Sequence, residues 1–168
     1  MTTPKHLCWM FACALWAGTA GSAAAGDIKP ATEQNRQFIT RAFERWTSGS
    51  GDFFRDVLAP DVRWTIKGSG PAAGTYAGRE DFLERAVQPF VARLSTPIRP
   101  TVKAIWADGD DVIVHWDGSA TAGDGSPYRN SYIWIFRMAN GRASEVTAFL
   151  DLAAYDDVLR RVSPRKSP

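Results

Sequence analysis

Apolar side chains recur every three or four positions in three stretches of the N-terminal half, and this spacing predicts three helices. The first is expected to begin after an N-cap at Thr32 and to end in a Gly/Ser-rich run. Asp52 is expected to cap a short second helix that ends at Leu58. The third begins at Arg79, and Pro89 within it is expected to kink or divide the helix.

The C-terminal half changes to the alternating pattern of strands separated by turn residues. Asp108-Gly109 and Asn140-Gly141 are typical of tight hairpins. Strands are expected at 62–66, 101–106, 112–121, 128–138 and 143–150, with a brief extended piece at 75–76 and a closing helix at 152–159. Helices followed by hairpin-connected strands predict an α+β domain, with the helices on one face of a bent, mainly antiparallel sheet that encloses a cavity.

The first residues have the pattern of a secretory signal peptide. Lys5 precedes an apolar run over residues 7–16, and small residues then lead to Ala25. The run is too short to span a bilayer comfortably, so cleavage after Ala25 is expected, with a retained membrane anchor as the alternative. The mature chain would begin at Gly26, be periplasmic or secreted, and have no membrane association after cleavage.

Composition and charge narrow the functional classes. The 168 residues, 45% hydrophobic and 23% charged, predict one globular domain, which we place at residues 26–160 with a flexible tail at 161–168. A formal net charge of +2 without a basic block does not suggest a nucleic-acid partner. Removal of the leader would remove Cys8 and Cys13 and leave His115 as the one histidine. Neither a Cys/His metal site nor a cofactor is therefore expected.

One face of the strand at 128–138 is predicted to be aromatic. Side chains alternate along a strand, so the residues that share this face are Tyr128, Asn130, Tyr132, Trp134 and Phe136. Rings with a few hydroxyl and amide groups suit a pocket that stacks on a flat apolar ligand, although the same rings could fill a core or a dimer contact. The expected ligand-binding residues are Trp64, Tyr76, Tyr132, Trp134 and Phe149.

Three segments are similar to those of a known superfamily. Residues 54–64 resemble its junction between a short helix and a strand, 74–82 its Gly-x-x-x-Gly-Arg-Glu helix entry, and 140–142 with 149–151 its closing hairpin. On these motifs the chain resembles the nuclear transport factor 2-like superfamily and, within it, the SnoaL-like group of polyketide cyclases, ketosteroid isomerases and limonene epoxide hydrolases. The resemblance covers about residues 33–160. It implies a cone of about three N-terminal helices on a strongly curved, mainly antiparallel sheet.

The resemblance transfers few catalytic positions. Ile66 stands where ketosteroid isomerases have their general base, and Ala42 where they have a tyrosine on the first helix. Ala148 stands where epoxide hydrolases have a last-strand Asp. Asp151 resembles the acid that SnoaL-type cyclases use for proton transfer. The resemblance therefore implies a catalytic role at Asp151 alone.

Asp151 and His115 are the candidate catalytic residues. Asp151 ends an apolar strand, where desolvation would raise the pKa of a carboxyl toward the range of a general acid or base. Its alternative role is to cap the helix that begins at Leu152. His115 interrupts an apolar strand, and its alternative is a structural or outward-facing imidazole.

Two functions follow as hypotheses. In the first, an exported protein binds a small apolar carbonyl or polycyclic ligand in a hydrophobic pocket, with or without cofactor-free acid/base isomerase or cyclase activity. In the second, the same fold is a non-catalytic binding or assembly module. Both faces of the two central strands carry apolar residues, so a homodimer through the exposed sheet face is also expected.

Overall fold

A computed structural model describes residues 25–165 of the chain, with side chains from residue 30 onward. The predicted signal peptide lies outside the described residues except for Ala25, and it stays a prediction. Residues 166–168 of the predicted tail also lie outside them. Among the residues described, no helix combines the length and hydrophobicity needed to cross a bilayer.

Helix α1 runs over Ala25–Thr47, so the predicted N-cap at Thr32 is wrong. The helix continues toward the N-terminus through Pro30, which lacks the N–H that would bond to the carbonyl four residues earlier. The Thr32 hydroxyl instead donates to the carbonyl oxygen of Gly109 over 3.3 Å. Thr32 therefore connects the helix to a distant turn.

Helix α2 covers Phe53–Val57 and is capped as predicted, because the Asp52 carboxylate accepts from the Arg55 N–H at 3.1 Å. Its C-terminal end is held by arginines. Arg79 donates to the Arg55 carbonyl at 3.3 Å, and Arg142 donates to the same oxygen at 2.8 Å. Both guanidinium groups satisfy carbonyls that the end of a helix leaves free.

The third predicted helix is divided, as expected. It consists of α3 over Arg79–Phe82, a π-helical turn over Leu83–Val87 and α4 over Gln88–Val91. In an unbroken α-helix the Pro89 ring would clash with the preceding turn and leave one carbonyl without a donor. The wider π turn just before Pro89 accommodates this, and the Gln88 N–H bonds to the Leu83 carbonyl.

All the predicted strands are present. Their bounds are Leu58–Ile66 for β1, Gly74–Ala77 for β2, Arg99–Asp108 for β3, Asp111–Thr121 for β4, Pro127–Ala139 for β5 and Arg142–Leu150 for β6. Helix α5 follows over Leu152–Arg161. Strand β1 begins earlier than predicted because Leu58 already pairs with Ala143 of β6.

The strands form one six-stranded sheet in the order β2-β1-β6-β5-β4-β3. The β1–β6 pair is parallel and every other pair is antiparallel. Register shifts in the β3–β4 and β5–β6 pairs are irregularities that bend and twist a sheet. The α+β prediction is confirmed, and the concave face is covered by the helices.

The alternation predicted for β5 is also observed. Its five residues from Tyr128 to Phe136 on one face are buried, whereas the intervening positions are partly or fully exposed. Register places Trp116 of β4 opposite Tyr132, and Trp134 opposite Ala148 of β6. The large rings of neighbouring strands therefore meet on the concave face.

Part of the predicted flexible tail is packed on the domain. Val162 is buried, and its carbonyl accepts from the Arg93 guanidinium at 2.8 Å. The backbone N–H of Arg165 donates to the Ala92 carbonyl, also at 2.8 Å. Packing against the helices therefore extends beyond residue 161 to residue 165.

Candidate functional site

A cavity of about 400 Å³ lies between the helical layer and the concave face of the sheet. This volume falls within the usual range of small-molecule pockets. Helices α1 to α4 contribute apolar groups such as Trp46, Phe54 and Phe90, and the strands contribute Trp64, Trp116 and Trp134. The walls are thus formed mainly by ring faces and aliphatic groups.

Two stacked pairs of rings flank Trp134 and fix the shape of the sheet side. Trp64 stacks on Phe82 with ring centroids 4.0 Å apart, and Trp116 stacks on Tyr132 at the same distance. Trp134 is nearly perpendicular to both indoles, at 5.0 Å from Trp64 and 4.7 Å from Trp116. The two perpendicular contacts are the edge-to-face arrangement that aromatic quadrupoles favour.

Gly118 makes room for one of these stacks. A Cβ atom at this position would lie 2.9 Å from Cε2 of Tyr132 and 3.0 Å from the Trp116 ring. Carbon atoms do not approach so closely without displacement. The Trp116–Tyr132 stack therefore depends on the absence of a side chain at Gly118.

The indole nitrogens of Trp64 and Trp116 are buried and have no hydrogen-bond partner among the described residues. Each residue is 1% exposed, so these N–H groups are closed off from solvent. The nearly perpendicular Trp134 ring lies beside both indoles. Both tryptophans line the cavity, so these two unpaired donors lie in its wall.

A chain of polar groups borders the cavity at Tyr132. Its hydroxyl lies 2.7 Å from that of Tyr128, which accepts from the Asn130 amide at 2.8 Å. The Asn130 side chain also exchanges two hydrogen bonds of 2.9 Å with the backbone of Asp151. This buried network joins β5 to the start of α5.

Burial keeps these phenols neutral. It raises the pKa of Tyr128 to about 12 and raises the pKa of Tyr132 well above its ordinary value. A neutral phenol can donate or accept a hydrogen bond, but it is a poor base near neutral pH. The pair is therefore suited to holding a polar group of a ligand.

Tyr155 connects α5 to the helical wall. Its hydroxyl donates to the Ala86 carbonyl in the π turn at 2.8 Å, and its ring stacks on Phe90 at 4.2 Å. Burial also raises the pKa of Tyr155. The contact fixes the part of the divided helix that faces the cavity.

Ser95, Thr96, Pro97 and Arg165 line the cavity and are exposed, so its mouth lies among them. The Ser95 hydroxyl donates to the Thr121 carbonyl at 3.1 Å, and the Thr96 hydroxyl accepts from the Thr121 N–H at 2.8 Å. These hydroxyls therefore already serve the end of β4. Arg165 is the one charged side chain among the described residues that line the cavity.

The structure brings together three of the five predicted ligand-binding residues. Trp64, Tyr132 and Trp134 line the cavity. Tyr76 is buried beside it, where its ring contacts Phe82 at 5.8 Å and its hydroxyl donates to the Ala72 carbonyl at 2.9 Å. It supports the Phe82 ring and is not itself part of the lining.

Phe149, predicted to bind ligand, and the two catalytic candidates are not among the residues that line the cavity. Phe149 is 45% exposed. His115 precedes the inward-facing Trp116, so alternation turns it to the outer face, where its Nε2 lies 3.2 Å from the Ser131 hydroxyl. The exposed Asp151 carboxylate caps α5 by accepting from the Ala153 N–H at 2.9 Å.

Several lining residues were not singled out by the sequence as parts of a site. They are Trp46, Phe54, Phe90, Trp116 and Tyr155. All except Tyr155 belong to apolar stretches that the sequence predicts to be buried. The pattern that predicts burial does not distinguish a side chain in the filled core from one in a cavity wall.

The chemistry available at the cavity is limited. None of the described lining residues is a carboxylate or an imidazole. In the described part of the chain, no group of three or more His, Cys, Asp or Glu side chains is placed to hold a metal ion. What the described lining offers is ring stacking, the phenol of Tyr132 and the positive charge of Arg165.

A curved sheet whose concave face is covered by helices around an apolar cavity is the architecture of the nuclear transport factor 2-like superfamily. Residues 39–146 match the SnoaL-like domain family, and the chain belongs to that family. The matched range contains Trp64, Trp116, Tyr132 and Trp134 of the cavity. No curated protein matches the chain.

Solved structures share the fold. Bal32a, from a soil-derived mobile gene cassette, is 21% identical with a TM-score of 0.64, over 77% of this chain and 98% of that one. A protein described as a SnoaL-like polyketide cyclase from Jannaschia sp. CCS1 is 19% identical with a TM-score of 0.62, over 80% and 96%. TerC, co-crystallized with polyporic acid, is 19% identical with a TM-score of 0.62, over 75% and 98%.

Proposed function

We propose that this protein binds a small, flat, apolar carbonyl or polycyclic compound in its cavity. The observation that carries the proposal is a cavity of about 400 Å³ whose sheet side is built from aromatic rings that hold one another in place. Such surfaces stack on a flat molecule and are already ordered before it arrives, so binding loses little side-chain entropy. The polyketide cyclase similarity and the polyporic acid held by TerC support a small-molecule ligand.

The polar chain at Tyr132 favours a ligand with a carbonyl group. The hydroxyls of Tyr128 and Tyr132 lie 2.7 Å apart, and either of them can be the donor. When Tyr128 donates, the Tyr132 proton is available to an acceptor in the cavity. Successive hydrogen bonds in one direction polarise and strengthen one another.

Binding is favoured over acid/base catalysis. Isomerisation or cyclisation by proton transfer needs a base near the reacting carbon. Asp151 caps α5 and His115 faces outward, and the described lining contains neither a carboxylate nor an imidazole. Tyr132 can polarise a carbonyl, but its raised pKa makes it unsuited to removing a proton.

The proposal includes export and a homodimer. The leader pattern supports cleavage near Ala25 and a periplasmic or secreted protein. The outer sheet face supports association with a second copy, because Trp106 is 54% exposed there and Phe149 45%. The exposed apolar residues on that face also favour the second candidate function, an assembly module with no catalytic role.

The binding proposal is tested by filling the cavity. Ala148 is buried and lines it, so Ala148→Phe should occupy ligand space, whereas Ala139→Phe makes the same change at an exposed position. Acetonaphthone, a flat aromatic ketone, is the probe, and quenching of tryptophan fluorescence reports binding. Wild-type protein and Ala139→Phe should bind it saturably, and Ala148→Phe should not.

Tyr132→Phe tests the carbonyl contact with the same probe. This variant should bind acetonaphthone more weakly than wild type but bind naphthalene, which has no acceptor, equally well. Undiminished acetonaphthone binding by folded Ala148→Phe would overturn the cavity as the binding site.

A further inference from the structure

Arg165 is fixed at the mouth of an otherwise uncharged cavity. Its backbone N–H donates to the Ala92 carbonyl at 2.8 Å, and one guanidinium nitrogen donates to the Leu94 carbonyl. Both acceptors lie just beyond the end of α4, and Leu94 itself lines the cavity. Two points of attachment therefore place the guanidinium group beside the entrance.

The positive charge of Arg165 has no acidic partner in the described part of the chain. None of the ion pairs among the described residues includes it. Two nearby arginines differ in this respect, because Arg160 and Arg161 both pair with Asp157 on α5. Because no described carboxylate pairs with Arg165, its guanidinium group can pair with a ligand.

Arg93 supports this arrangement without competing for the ligand. It donates to the Val162 carbonyl at 2.8 Å and to the Pro89 carbonyl, so it ties the C-terminal segment to the helices. Arg93 is not among the described residues that line the cavity. It therefore positions the segment that carries Arg165.

We propose that Arg165 makes the cavity selective for flat apolar molecules that carry a carboxylate, with the rings inside and the carboxylate at the mouth. The proposal rests on the proposed function and adds the chemical class of the ligand. A guanidinium group presents several N–H donors in one plane, and one of them is used by Leu94. The others can meet the two oxygens of a carboxylate, which is the geometry that arginine fits best.

The exposed position of Arg165 limits how strongly the cavity can prefer a carboxylate over a neutral group. Arg165 is exposed, so water and salt screen its charge. A charge-assisted hydrogen bond in such a place should favour a carboxylate over a neutral amide of the same shape by about three- to tenfold in affinity. The preference should shrink as the salt concentration rises.

Naphthoate and naphthamide form the matched pair of probes, with binding followed by tryptophan quenching and calorimetry. Wild-type protein should bind naphthoate about three- to tenfold more tightly. Arg165→Gln should bind both probes alike, and Arg165→Lys should keep part of the preference. Arg160→Gln is the control, because it removes an exposed positive charge on α5 that is not part of the cavity lining.

The outcomes separate this proposal from the proposed function. Equal affinity of wild-type protein for the two probes would overturn the role of Arg165 and leave the cavity as a binding site. A naphthoate preference that survives in Arg165→Gln would also overturn it. Failure of wild-type protein to bind either probe would overturn both proposals. The comparison in wild-type protein and its salt dependence do not depend on the folding of any variant.

Discussion

Asp151 has two candidate roles, capping α5 and catalysis, and replacing it distinguishes them more directly than any other single change. The Asp151 carboxylate accepts from the Ala153 N–H at 2.9 Å and from the Ala154 N–H at 3.3 Å. Asp151→Ala removes both contacts and leaves two donors at the start of α5 without an intramolecular partner. Asp151→Asn keeps an acceptor oxygen and removes only the charge.

The expected losses differ between the two variants. An N-cap replaced by Ala typically costs about 1 kcal/mol, and this site fits that value because one contact is short and the other long. For a domain of this length the loss lowers the Tm by roughly 3 °C. Asp151→Asn loses only the favourable interaction of a charge with the helix dipole, about 0.5 kcal/mol.

Urea unfolding followed by circular dichroism measures both values, and acetonaphthone titration of the same samples measures binding. Both variants should bind the probe as tightly as wild-type protein, because Asp151 is exposed and does not line the cavity. If a ligand is found that the protein converts, turnover should also be unchanged in Asp151→Asn. A stable Asp151→Asn protein that no longer binds or converts the ligand would refute this reasoning and restore the catalytic role.

Asn130→Ala should lower the free energy of unfolding measured in urea by about 3 kcal/mol, at about 1 kcal/mol for each of its three hydrogen bonds. A loss below about 1 kcal/mol would contradict the network. Burial raises the pKa of all four tyrosines, so their neutral forms stabilise the fold fully below about pH 10, and this stability is lost as the pH rises toward 12. Tyrosinate absorbance should therefore appear only as the protein unfolds. Tyrosines that titrate near pH 10 while the protein is still folded would contradict their burial. Gly118→Ala should lower the free energy of unfolding by about 1–3 kcal/mol because it displaces Tyr132 or Trp116, whereas Ser119→Ala at the neighbouring exposed position should leave it nearly unchanged. Equal stabilities of the two variants would contradict the close contact at Gly118. Phe149→Glu should turn the proposed homodimer into a monomer in sedimentation at tens of micromolar, and an unchanged oligomeric state would place the interface elsewhere.

The elements of the fold could be predicted because their signals are local. Asn140 and Gly141 both have positive φ angles, 51° and 74°, which is the conformation that an Asn-Gly hairpin requires. Asp52 and Pro89 likewise act on their own helices, through a cap and through a missing N–H. Thr32 misled the prediction because a residue with good capping chemistry can lie inside a longer helix and bond elsewhere.

The site was less predictable because it depends on which face of each strand turns inward. Strand β4 has apolar residues on both faces, so its sequence alone does not decide whether His115 or Trp116 meets the helices. Pairing with β5 decides it, because Trp116 stands opposite the inward-facing Tyr132. Asp151 lies where a strand end and a helix start coincide, and only the hydrogen bonds to Ala153 and Ala154 distinguish its two possible roles.

The π-helical turn makes the shape of the cavity depend on the number of residues in one short segment. Such a turn holds one residue more than an α-helical turn between bonded groups. Deleting the exposed Glu84 would require this segment to take α-helical spacing, which the Pro89 ring opposes. The stacking of Phe82 on Trp64 and the stacking of Phe90 on Tyr155 lie on either side of the turn. The length of this segment, and not only its side chains, therefore sets where these two aromatic contacts stand in the cavity wall.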